Sequence, residues 1–123
     1  MYAPDILTIS TKASNLALLA VAVTEYEQQA PAAFPNIAPF TIKQGLSVLL
    51  NDCMQQLRGE IKQADLPGTF HHALSAACGG TAALADMAIE AEGDEAAYDD
   101  FCSLSYIVAD AVARLAVELD EIA

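Results

Sequence analysis

Apolar positions recur every three or four residues along almost the whole chain, the spacing that stacks side chains on one face of an α-helix. The pattern is interrupted at "PAAFPNIAP" (Pro31–Pro39), at "DLPG" (Asp65–Gly68) and around Gly93. Proline and glycine at these places cannot continue a helix or favour its end. The breaks leave four helices, predicted over about residues 11–30, 41–64, 69–92 and 94–122. Residues 1–10 precede them as an extended arm. "ILTIS" within it alternates weakly, but a lone strand would have no partner.

Each helix carries its own signals. The first should start at Ser10 or Thr11 as N-cap, and its centre, "LALLAVAV", is apolar all round, which predicts burial on more than one side. Thr41 and Gln44 have capping-box spacing for the second, whose inward face reads Ile42, Leu46, Leu49, Cys53, Leu57 and Ile61. Thr69 caps the third, which turns Phe70, Leu74, Ala77, Thr81, Leu84 and Ala88 inward and ends at Gly93. Asp94 caps the fourth, with Glu95 well placed in the first turn. Its stripe of Phe101, Leu104, Val108, Val112, Leu115, Leu119 and Ile122 is the clearest in the chain. The expected fold is an all-α antiparallel four-helix bundle in a single helical domain, or two helical hairpins completed by a second chain.

Two helices show a second surface. Around helix 4, opposite or beside the stripe, lie Asp99, Ser103, Asp110 and Glu121, and among them Tyr106, Ala113 and Val117, with Ile107 at the edge. On helix 3 the face opposite Phe70 centres on Gly79, ringed by Ser75, Ala82, Ala83 and Asp86. A water-facing surface normally carries long polar side chains. This one has almost none, and each glycine forgoes about 1 kcal/mol of helix propensity. Small residues let another backbone approach, a logic best documented between membrane helices. The surface is therefore expected to be covered by the bundle, by a twin chain or by a target, and a homodimer through helices 3 and 4 is the expected assembly.

Composition narrows the function. Of 123 residues, 54% are apolar and the formal net charge is −12. Alanine fills 25 positions, which suits closely packed helices. Residues 1–66 hold six acids and four bases, whereas residues 67–123 hold eleven acids and one base, Arg114. Such an acidic half repels a phosphate backbone, so direct nucleic-acid binding is not expected, while a basic or mixed protein surface would be attracted. Cys53, Cys78 and Cys102 are odd in number and form no CxxC, which argues against a disulfide framework and for a reducing, cytoplasmic setting. The run Leu16–Val23 is too short to span a bilayer, the start has no basic segment of a signal peptide, and no membrane association is expected.

Chemical motifs are lacking. His71 and His72 are adjacent, so on a helix they point about 100° apart. A zinc site would have to be assembled from His71, Cys78 and Cys102 or Cys53 across helices. No HExxH, ExxH, P-loop or oriented nucleophile–base–acid set is present, and Asp99 and Asp100 point to different sides of one helix. Catalytic, cofactor and metal residues are therefore not expected, nor is an enzyme. The second half, from "FHHALSAACGGTAALADMAIEA" to "YDDFCSLSYIVADAVARLAVEL", resembles short acidic helical-hairpin proteins of unknown function from proteobacteria and their phages. That resemblance rests on pattern and implies no activity. The expected function is that of an acidic helical interaction protein that modulates another protein, as an inhibitor, anti-activator, immunity or antitoxin protein or phage anti-host factor. The alternative is a small-molecule-sensing bundle in which His71, Thr81 or Tyr98 orients a guest.

Overall fold

The computed structural model describes residues 5–25, 39–66, 70–90 and 95–123. Four helices occupy them in order: α1 (Ile6–Glu25), α2 (Pro39–Ala64), α3 (His71–Glu90) and α4 (Glu95–Ile122). Each packs on its chain neighbours and α4 closes on α1, while the diagonal pairs keep their backbones apart among the described residues. Interhelical bonds fix the sense. Lys12 near the start of α1 meets Glu60 near the end of α2, and Gln44 near the start of α2 reaches the carbonyl of Ala88 near the end of α3. The result is an antiparallel four-helix bundle within one chain, without need of a second to complete it. The caps assigned to Thr69, Gly93 and Asp94, the Thr41 side chain and the extensions of helices 1 and 3 past Glu25 and Glu90 lie outside what is described.

One continuous apolar core joins all four helices. Phe101, Val108, Val112, Leu115 and Leu119 enter it from α4, and Phe70, Leu74, Ala77, Leu84 and Ala88 from the α3 side. Both stripes are those expected. Thr81 is buried among them because its hydroxyl bonds back to the Cys78 carbonyl at 3.1 Å. Ser47 and Ser105 do the same, to Lys43 and Cys102, so neither brings an unpaired hydroxyl into the core.

The other two helices correct the expectations. The arm is helical from Ile6 onward, and Ser10 is buried inside α1 rather than capping it. The cap is Asp5: the Leu7 N–H donates to Asp5 Oδ1 at 3.2 Å, and the Ile9 N–H to the Asp5 carbonyl at 3.0 Å. The physical reason is a helical stripe, Ile9, Ala13, Leu16, Ala20 and Val23, that starts inside the supposed arm. Burial on more than one side, as predicted for this helix, takes the form of contacts with two neighbours, α2 and α4. Only the surface facing these two is covered, and Leu7 and Leu18 remain 63% and 69% exposed. At twenty residues α1 is also long and apolar enough to cross a membrane by length and composition, more than its central run suggests.

On α2 the buried line is Lys43, Ser47, Leu50, Met54, Leu57 and Ile61, while Leu49 is 49% exposed. The inward face is rotated by roughly 65° from the predicted one, with Leu57 and Ile61 common to both and Leu46 and Cys53 half-buried at its edge. Two polar residues on it disguise it. Lys43 lays its stem inside and its ammonium over the Tyr98 ring at 5.8 Å, and Ser47 satisfies itself on the helix backbone. Pro39, with no N–H to lose, stands in the first turn. Because α2 begins at Pro39, Thr41 stands inside the helix rather than at its cap, and Gln44 Nε2 donates to the Ala88 carbonyl. Past Ala64, Asp65 takes a left-handed conformation, φ 49°, which lets the chain leave the helix.

Candidate functional site

Among the surfaces left uncovered, two combine exposure with distinctive chemistry. The first runs along α4. Because the core stripe points Phe101 to Leu119 inward, the helical period sends Asp99, Tyr106, Asp110, Ala113 and Val117 outward, and all five are exposed. Tyr106 is 61% exposed, Val117 58% and Ile107 65%, a large apolar share for one helix face. Asp99, Asp110, Asp120 and Glu121 share this outer side with a single base, Arg114, so its charge is mostly negative.

The second is the seam between α2 and α3. Gly79 is exposed, and a Cβ there would find no atom within 4 Å, so no helix among the described residues lies across it. The close approach occurs one residue on. A Cβ on Gly80 would stand 3.2 Å from Val108 Cγ2, so Gly80 is what lets α4 pack tightly on α3. The two glycines thus have different tasks. Of the remaining thin-face residues, Ser75 and Ala82 join Gly79 in a groove against α2, whereas Ala83 and Asp86 lie outside it.

That groove, open to solvent along its length, has a volume of about 680 Å³. Its α2 wall is Asn51, Gln55, Arg58 and Lys62, spaced as one polar stripe of the helix. Across it stand His71, Ser75 and Cys78, with Leu74 and Ala82 as apolar floor. Gln55 Nε2 donates to Asn51 Oδ1 at 3.1 Å and to the Cys78 carbonyl at 3.3 Å, which pins the wall to α3. Burial pushes the Cys78 thiol above its ordinary value, while the charges of Arg58 and Lys62 pull it the other way. A neutral, buried thiol is a poor nucleophile.

The remaining candidates separate. His71 stacks on Phe70 with ring centroids 5.1 Å apart and faces α2, whereas His72 lines the opposite seam, with Asp110, Arg114 and Glu118 of α4. Cys53, Cys78 and Cys102 sit on three different helices and are free thiols. Among the described residues no three His, Cys, Asp or Glu side chains gather as metal ligands. His71, Thr81 and Tyr98 do not converge on a guest: Thr81 is sealed in the core, and Tyr98 stacks on Phe101 at 6.5 Å. Sequence reasoning missed Arg58, Lys62, Asn51 and Gln55, though their helical spacing was readable.

No family model matches the chain, and neither a curated protein nor a solved structure matches it, so the likeness of its second half to acidic helical hairpins stays one of pattern.

Proposed function

We propose that this is a binding protein that modulates a protein partner by docking the outer face of α4. The observation that carries the reading is the exposure of Tyr106, Ile107 and Val117 amid carboxylates. Aromatic and aliphatic anchors inside a charged rim are the usual anatomy of a docking surface. The rim selects the partner. A two-fold dimer through this strip would set the carboxylates of one copy against those of the other, so a basic or mixed surface on a different protein fits better than a twin. Inhibitor, anti-activator, immunity protein and antitoxin are all jobs that such a face performs by occupying its target.

The test uses the full chain as bait in extract of its source cell, beside a Tyr106→Ser/Val117→Ser variant. A partner held by the first and lost by the second is then purified and titrated. The expected result is binding weakened at least about tenfold by the two substitutions and weakened further by salt, with unchanged thermal melting. Equal binding by both proteins would refute the proposal.

A further inference from the structure

The α2/α3 groove lies apart from the α4 strip and has the opposite character. The chain has 17 acidic and five basic residues, yet this groove is lined by Arg58, Lys62 and His71 and by no carboxylate. We infer that the α2/α3 groove is a binding site for a small organic anion, one with a carboxylate or phosphate group and a compact apolar body.

Four features carry this. Arg58 and Lys62 are one turn apart on α2, so their side chains reach the same stretch of groove. A guanidinium and an ammonium at that spacing can hold an anion from two sides, the first in bidentate fashion. The Ser75 hydroxyl and the Asn51 and Gln55 amides add neutral polar groups along the walls. Leu74, Cys78 and Ala82 floor the groove, and the open space at Gly79 leaves room for a flat body that a larger side chain would fill. The positive charges reach that floor, since both act on the Cys78 thiol.

The net charge of −12 opposes any anion at long range. At physiological salt that field is screened beyond about 8 Å, so the bases lining the groove outweigh distant acids. A volume of about 680 Å³ is that of a small-molecule site. The inference does not depend on α4, and the two fail independently because their variants touch different helices.

The experiment is a ¹⁵N chemical-shift titration of the full chain with phenyl phosphate, benzoate and the neutral control benzyl alcohol. Saturable shifts are expected at the amides of Gln55, Arg58, Lys62, His71 and Gly79 with at least one anion. Response to phenyl phosphate alone assigns the natural ligand to phosphates, to benzoate alone to carboxylates, and to both to either source. Arg58→Gln/Lys62→Gln should weaken binding at least about tenfold with the melting temperature unchanged. Gly79→Phe, which blocks the floor and leaves both bases in place, should weaken it likewise. Equal response to the alcohol, shifts scattered over the surface, or wild-type affinity in both variants would overturn the inference.

Discussion

The α2/α3 seam and the outer strip of α4 are both left open by the bundle, and they are built in opposite ways. The seam is concave, positive and floored by small residues. The strip is convex, negative and studded with Tyr106, Ile107 and Val117. The difference shows that charge segregated along the sequence becomes charge segregated in space. Two of the four bases of the first half, Arg58 and Lys62, line up on one stripe of α2, and Asp99, Asp110, Asp120 and Glu121 of the second half point outward because the α4 core stripe leaves them no other side. A single fold thereby offers two surfaces of opposite taste, one suited to an anion and one to a cationic protein.

The contrast can be broken first at its scaffold. Gly80→Leu would drive a side chain into Val108 and pry α4 from α3, so a destabilisation of about 1–3 kcal/mol is expected from chemical unfolding. Val117→Ser should instead leave stability within about 0.5 kcal/mol, because the side chain is exposed, while reducing partner affinity severalfold in titration. Gly79→Ala meets only open space and gains helix propensity, so it should stabilise the protein by up to about 1 kcal/mol. Opposite signs at adjacent glycines are the sharpest stability test of which seam is closed.

The smallest effect is alkaline. The folded state raises the Cys78 pKa, so it retains the thiol proton where the unfolded chain has begun to lose it. The stabilising contribution is complete below the ordinary thiol value, 9.0, and is lost as pH rises through the folded value. Unfolding curves of wild type and Cys78→Ala at neutral and alkaline pH should show the wild-type advantage narrowing above that point. An advantage independent of pH would mean that the thiol is not buried as described.

Much of this fold was legible because two helices are plain. On α4, Phe101 to Leu119 obeys one period with polar residues elsewhere, and on α3 the buried line contains only one hydroxyl, Thr81. The errors came where polarity and burial part ways. Lys43 and Ser47 read as surface residues, so the α2 face was placed too far round; a stacked ammonium and a back-bonded hydroxyl are tertiary and local devices that periodicity does not reveal. Serine at position 10 read as a cap because serines often are caps, yet Asp5 performs that task. The outer residues of α4 followed directly from its period. The groove did not, since a seam depends on which helix lies beside which, and Arg58 and Lys62 looked like ordinary solvated residues until His71 and Ser75 stood across from them.

The central claim is that α4 recognises by anchors as well as by charge. The direct measurement is a ¹⁵N chemical-shift titration with an amphipathic Lys/Leu peptide, run on wild type and on Tyr106→Ser/Val117→Ser. The account predicts saturable shifts at Tyr106, Asp110, Ala113 and Val117, at least about tenfold weaker in the variant. Shifts spread evenly over every acidic surface, Asp5, Asp52 and Asp86 included, and the same in both proteins, would contradict it.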